Sequence, residues 1–497
     1  MSKFHSTVSR RDFMRGLGLA GAGLGAASLS APVFQDLDEV VASTNADKRF
    51  RPWYVKELEA EKPTVEIDWQ LSHRSDRTKY FAAAANFTST VSTTQNILDV
   101  LPPDVNPAIR EGLSIWPKAQ WDYIQKIFPN WKGNTVRDYA MESASSSLAF
   151  YDFHTYGGYR GYNAAKHKSS SFTGLETAMT PEELGMAKWQ GTPEENLKMV
   201  RAAARTFGCE EVGVVELTSN TRKLINANST RGKPINFENV DKASDGTDKT
   251  VIPEKCKYMI VYTNLQPTHL TKRTPSQVGL SANKNSYTRM PIQRVQMQEF
   301  LRGLGYQGLQ VDGMTQSNPW GTLAGIGEHG REAMNLVSPF YGAMYRGIQR
   351  MITDLPLATT QPIDAGVFKF CISCKKCSEL CPYGSMPMGD PMWEHEDPVE
   401  AGENNVIDGH VYKGWRLYNY KCPRCQACQG TCVFSKISDG SIHEVIRGTV
   451  ATTSVFNGFF RNMDDLFDYG TLKDPETWWD MEEQPVWGIA PALWTKV

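Results

Sequence analysis

Two short runs of cysteine constrain this chain more than anything else in it. Cys371-x2-Cys374-x2-Cys377-x3-Cys381 is followed by Pro382, and Cys422-x2-Cys425-x2-Cys428-x3-Cys432 is followed by Val433. Eight of the ten cysteines lie in these runs, and only Cys209 and Cys256 stand apart. Three closely spaced thiolates wrap three corners of an iron–sulfur cube, and a fourth, past a short turn, reaches a neighbouring cube. The spacing therefore predicts two 4Fe–4S clusters. One takes Cys371, Cys374, Cys377 and Cys432; the other takes Cys422, Cys425, Cys428 and Cys381. A zinc site needs only four ligands and has little use for the third close cysteine. Cys256, in the apolar run KCKYMIVYT, reads as a core residue.

The N-terminus conflicts with free thiols. Ser9-Arg10-Arg11-Asp12-Phe13-Met14-Arg15 precedes an uncharged Gly/Ala-rich stretch from Gly16 to Gln35. That stretch is too weakly apolar for a membrane span, which needs about 20 strongly apolar residues. It reads as a signal peptide of the twin-arginine type, cleaved near Ala31 or after Ala42. Export of a protein already folded around its clusters resolves the conflict, because the thiolates are then ligands before they meet an oxidising compartment. No later run of 18 or more apolar residues follows, so the expected location is the extracytoplasmic face of the membrane, held peripherally. With 53 basic against 55 acidic residues the net charge is −2, which argues against nucleic acid as a partner. The 13 tryptophans are compatible with core packing or with an apolar pocket for a flat ligand.

Local patterns divide the chain into a signal region (1–42), an N-terminal unit (43–180), a core (181–365), a cysteine module (366–440) and a covering tail (441–497). Thr180-Pro181-Glu182-Glu183 and Thr192-Pro193-Glu194-Glu195 both carry helix-start signals. After the second, Leu197, Val200, Ala204 and Phe207 keep helical spacing up to Gly208. EVGVVEL (211–217), KYMIVYT (257–263) and GLQV (308–311) read as strands, 219–250 as a polar surface insertion, and 286–303 as a long helix ending at Gly303. The alternation implies an α+β fold.

A two-cluster carrier needs far fewer residues, so the upstream stretch has its own task. Here the chain resembles the respiratory reductive dehalogenases, in their Dehalococcoides-like form. The resemblance rests on the twin-arginine start, NSYTRM (285–290), LRGLGYQG (301–308), AGIGEHGR (324–331), SPFYGAMYRGIQRMITDLPL (338–357) and PIDAGVFKFCISCKKC (362–377), in that order before the second cysteine run. It implies a nitroreductase-like α/β core holding a corrinoid (cobalamin) base-off, without a histidine ligand, beside a bacterial ferredoxin-like module. It implies an organohalide substrate, a chlorinated ethene or aromatic, whose halogen is replaced by hydrogen. It further implies a small membrane anchor subunit and an upstream electron donor complex as partners. By the same resemblance Tyr287, at the head of the predicted helix, is the proton donor. Arg346 is its cationic neighbour, with Arg331 and Arg350 as rivals, and Asn318 is a third polar residue.

Asp152-Phe153-His154-Thr155-Tyr156-Gly157 matches a cobalt-ligand motif of other corrinoid proteins, but its partner segments are missing downstream. Two other readings compete: an epoxyqueuosine-reductase-like corrinoid enzyme, and an iron–sulfur electron-transfer subunit.

Overall fold

The strand Tyr258–Leu265 is apolar on both sides, and the structure places it inside a sheet covered on both faces. The structure is a computed structural model that describes residues 51–77, 128, 130–133, 171–229, 231–394, 410–418, 421–422, 424–435, 441–466 and 470–489. The twin-arginine stretch, both cleavage positions and His154 lie outside these residues. Four strands form an antiparallel sheet, in the order Val212–Glu216, Tyr258–Leu265, Tyr345–Thr353, Gly308–Gln310. Successive side chains of a strand point to opposite faces. Met259 and Val261 therefore pack in one layer with Trp320 and Ile352, while Ile260 and Tyr262 pack in another with Leu197, Val200 and Met297. The three expected strands are present, and helices and strands mix as the sequence predicts.

The Thr192 signal starts a helix, Pro193–Thr206, with both hydrogen bonds of its capping box made. The Thr180 signal makes the same reciprocal bonds with Glu183 but no helix. Gly185 takes a positive φ of 68° one turn later and ends it.

The long helix departs most from expectation. It runs Gln277–Leu304, beginning well before residue 286, and Gly303 lies inside it. Its left-handed cap is Gly305, at φ 90°. The first turns, QVGLSANKN, hold Gly, Ser and Asn, which are poor helix formers. Tertiary packing overrides that weakness, because residues 277 to 283 are all buried. Ser276 caps the helix by accepting the Gly279 N–H at 3.0 Å.

Two other expectations change. The 219–250 insertion has its own sheet, in which Ile235–Glu238 and Ser244–Asp245 flank Thr250–Pro253, and it buries Ile225 and Ile235 in the core. In the tail, the helices Ser441–Thr452 and Asn457–Leu466 contact the cysteine-bearing helix Val367–Cys374. Among the described residues no helix is long and apolar enough to cross a membrane.

Candidate functional site

Tyr287 stands within the long helix, not at its head, with Asn283 one turn earlier on the same face. Arg346 comes to both from the strand Tyr345–Thr353. Its guanidinium carbon lies 5.8 Å from the Tyr287 ring centroid. With its amide oxygen turned to the guanidinium, Asn283 accepts from Arg346 Nη2 at 2.6 Å and Nε at 2.8 Å, and from Gln426 Nε2 at 2.8 Å. Local backbone explains the aim of Arg346. The strand register breaks between Arg346 and Gln349, and Gly347 there takes φ 66°. A β-bulge re-aims a side chain. A Cβ on Gly347 would also stand 2.6 Å from Met290 Sδ, so the bulge needs glycine on two counts. Arg346 is thus on a strand and is half-buried like Tyr287.

The rival arginines are engaged elsewhere. Arg350 is buried and pairs with Asp312 at 2.9 Å, which Arg294 also holds at 2.5 Å. It also lies near Tyr287. Arg331 donates only to main-chain carbonyls of the cysteine module, including Cys371 O at 2.9 Å. Asn318 begins a short helix, Ser317–Leu323, and its amide comes 3.5 Å from the Ala333 carbonyl. It meets Arg346 only indirectly, through the 332–334 loop, where Met334 Sδ lies 3.8 Å from Arg346 Nη2.

The cysteines fall into two sets across the two runs. Cys371, Cys374, Cys377 and Cys432 line one cavity with Phe370, Val433 and Phe434. Cys381 and Cys422 are the electrostatic neighbours of Cys425, and Cys425 and Cys422 are among those of Cys428. The first set, here the outer, is partly exposed; in the inner set Cys422, Cys425 and Cys428 are buried. This is the division that the spacing predicts. Among the described residues no three His, Cys, Asp or Glu groups converge as they would on a single ion. Burial pushes all the inner thiols for which a shift is seen above the ordinary range. Cys209 and Cys256 are buried apart from both sets, Cys256 with its thiol pushed up to about 12 by burial.

The inner set touches the tyrosine site directly, because Gln426, which reaches Asn283, sits between Cys425 and Ala427. Glu332 bridges the same region. It is 2% exposed, burial lifts its carboxyl to about 7 against the pull of Arg346, and Cys428 Sγ lies 3.9 Å from its Oε2. Around this seam, Asn264 Oδ1, Gln266 Oε1, Gln349 Oε1, Gln426 Oε1 and Gln429 Nε2 are buried without a hydrogen-bond partner. Buried polar atoms are ordinarily satisfied, so orphaned amides mark a place for a polar ligand. Sequence reasoning missed Asn283, Gln426, Glu332 and Glu328. Glu328 is fully buried and accepts the N–H groups of Ala365 at 2.7 Å, Val367 at 3.0 Å and Phe368 at 3.3 Å, capping the helix that carries Cys371 and Cys374. The four-residue step from Asn283 to Tyr287 could have flagged the first; nothing local signals the others.

Comparison with known proteins gives a consistent result. The family model described as "Reductive dehalogenase subunit" matches residues 118–357. The chloroethene reductive dehalogenase of Dehalococcoides mccartyi (strain VS) is 33% identical over 99% of this chain and 100% of its own length. The trichloroethene reductive dehalogenase of D. mccartyi (strain ATCC BAA-2266 / KCTC 15142 / 195) is 29% identical over 98% and 99%. A catabolic reductive dehalogenase solved with 3-bromo-4-hydroxybenzoic acid superposes with TM-score 0.54 at 16% identity, over 90% of this chain and 54% of its own. That likeness speaks to the fold alone. Full-length similarity at this level places the chain among the reductive dehalogenases, oxidoreductases that act on organohalides.

Proposed function

We propose that the chain is a corrinoid-dependent reductive dehalogenase that replaces halogen by hydrogen on a chlorinated ethene or aromatic, with two 4Fe–4S clusters delivering electrons. The net change is R–X plus two electrons and a proton, giving R–H and halide. The observation that carries the reading is one continuous contact: Tyr287 beside Arg346, Arg346 on Asn283, Asn283 on Gln426 of the inner cysteine loop. It joins a proton donor to the thiols that would hold the electron carrier.

A corrinoid, when bound, supplies a low-valent cobalt as reductant for the carbon–halogen bond. The orphaned amides of Asn264, Gln266, Gln349, Gln426 and Gln429 suit a ligand with amide side chains of its own. The residues' tasks follow from their chemistry. Tyr287 offers a phenolic hydroxyl at the site as a proton source. Arg346, 5.8 Å from the ring, places a cation beside the oxygen on which negative charge develops as the proton is given up. Asn283 fixes the guanidinium by accepting from two of its nitrogens, Nη2 and Nε. Asn318 lines the far side of the 332–334 loop.

The outer thiols would hold one cluster and the inner thiols the other. Thiols that line a cavity without converging on a point suit a cube better than one zinc ion. Electrons enter at the partly exposed outer set and leave beside the site. The core is read as nitroreductase-like and the cysteine module as ferredoxin-like. The twin-arginine signal supports export, with the protein held at the outer face of the membrane by a small anchor subunit and fed by an upstream electron donor complex. Iron and cobalt analysis, an optical spectrum and a dehalogenation assay over chlorinated ethenes, benzenes and biphenyls test the proposal. Corrinoid bands with halide release support it; clusters without corrinoid would make the chain a carrier.

A further inference from the structure

Arg331 is 1% exposed, and its guanidinium is met by main-chain carbonyls and not by an ion-paired acid. Its Nε donates to Cys371 O at 2.9 Å, its Nη1 to Pro387 O at 2.8 Å and Gly389 O at 2.7 Å, and its Nη2 to Ile372 O at 3.2 Å. Its guanidinium carbon stands 4.7 Å from the Trp415 ring centroid. Every acceptor is neutral, and among the described residues no carboxylate lies within ion-pair distance. Burying a cation without a counter-charge is costly. The neighbours that could answer it are Cys377, Cys371 and Cys374, which it feels electrostatically, together with the exposed Asp390. Arg331 also lines the cavity that the four outer thiols share.

The contrast with Lys376 sharpens the point. Lys376 lines the same cavity but is answered by Asp464 at 2.6 Å and Asp465 at 2.7 Å. Glu332 lines this cavity too, and its carboxyl Oε2 also lies 3.9 Å from Cys428 Sγ of the inner set.

We propose that Arg331 is a positioning residue whose buried charge sets the reduction potential of the outer cluster above the value its ligands alone would give. This rests on the reading that Cys371, Cys374, Cys377 and Cys432 hold a 4Fe–4S cluster. Reduction adds one electron to a site already net negative. A fixed cation in a low-dielectric surrounding stabilises the reduced form more than the oxidised form, and so raises the potential. The planar fork of arginine fits this place because it can bind four carbonyls while keeping its charge. The consequence is direction: an outer cluster of raised potential accepts electrons readily from a donor at the surface.

The test is a potentiometric titration of the full chain, with both clusters loaded, followed by electron paramagnetic resonance. The outer signal is identified by its loss in Cys374→Ser. Arg331→Gln is expected to lower the outer midpoint and leave the inner one in place. Arg331→Lys, which keeps the charge but cannot hold four carbonyls, is expected to stay near the parent. If Lys and Gln shift the midpoint alike, or Gln leaves it unmoved, Arg331 only braces the loop and the proposal fails. Where Arg331→Gln does not retain the outer cluster, Arg331→Met decides: it also removes the charge, should lower the outer midpoint, and no change overturns the proposal. A parent protein with neither 4Fe–4S signal overturns the cluster reading and this inference together; two clusters with an indifferent Arg331 overturn this one alone.

Discussion

The two thiol sets share one spacing and differ in almost everything around it. The outer set is partly exposed and faces Arg331 and Lys376 across its cavity. In the inner set Cys422, Cys425 and Cys428 are buried, with a carboxyl beside Cys428 and a glutamine, Gln426, that reaches the Tyr287 site. The spacing is shared while the surroundings differ: one set opens toward the surface and the other lies against the Tyr287 site. The difference teaches that the repeat is chemical, and that the asymmetry needed for direction comes from residues outside it.

The largest expected effect comes from breaking the exit. Cys425→Ser should take one cluster from the inner set, lower iron from about eight to roughly four per chain, and abolish dehalogenation while the outer signal persists. Turnover that survives loss of the inner signal would place the exit elsewhere.

Next comes the acid. Tyr287→Phe keeps the ring and removes one hydroxyl. A positioned acid typically contributes roughly 10²- to 10⁴-fold, so turnover should fall by about that factor with iron and cobalt content unchanged. Full turnover at full loading would leave Tyr287 a packing residue. Arg346→Lys retains charge without the fork and should cost less than Arg346→Ala.

Asn283→Ala is a smaller break at the joint between site and inner set. It removes an acceptor shared by Arg346 and Gln426. Leaving a buried donor unsatisfied costs about 1–3 kcal/mol, which predicts a loss of roughly tenfold in kcat/KM. An unchanged rate constant would show that Arg346 is held by other contacts.

On the outer side, Glu328→Ala strips the acceptor from the Ala365 N–H and from the first two N–H groups of the helix Val367–Cys374. A stability loss of about 1–3 kcal/mol is expected, visible as faster iron release from the outer set under chelator. Equal release from both sets would deny Glu328 a local role.

The smallest effect lies away from both sets and serves as a control. Burial pushes the Glu211 carboxyl up to about 8, with Arg51 and Arg205 opposing, and its Oε2 has no partner. The folded state therefore favours the protonated acid. Its contribution is complete below the unfolded value of about 4.3 and is lost as pH rises through about 8. Glu211→Gln should flatten the decline of thermal stability between about pH 4.3 and about 8 without moving either cluster signal. A slope unchanged from the parent would assign that decline to other groups.

Much of this was legible in the sequence because it is local. Ligand spacing in the cysteine runs follows from short-turn geometry, and the capping box at Thr192 and the apolar strands read correctly for the same reason. Where tertiary packing overrode propensity, the reading slipped. QVGLSANKN does not advertise a helix, yet burial of residues 277 to 283 makes it one and moves Tyr287 from the head of the helix into its body.

What the sequence signalled by itself was two cysteine runs of one spacing, whose thiols the structure sorts into two sets across the runs. It also marked Tyr287 and Arg346 through resemblance. Only the tertiary structure decided which arginine faces the tyrosine. Arg331, Arg346 and Arg350 are equivalent as letters, but a bulge at Gly347 turns one to the site, Asp312 claims another, and the carbonyls of the cysteine module take the third. A charge acts through space, and the distances that set its partner are fixed by segments far apart in the chain.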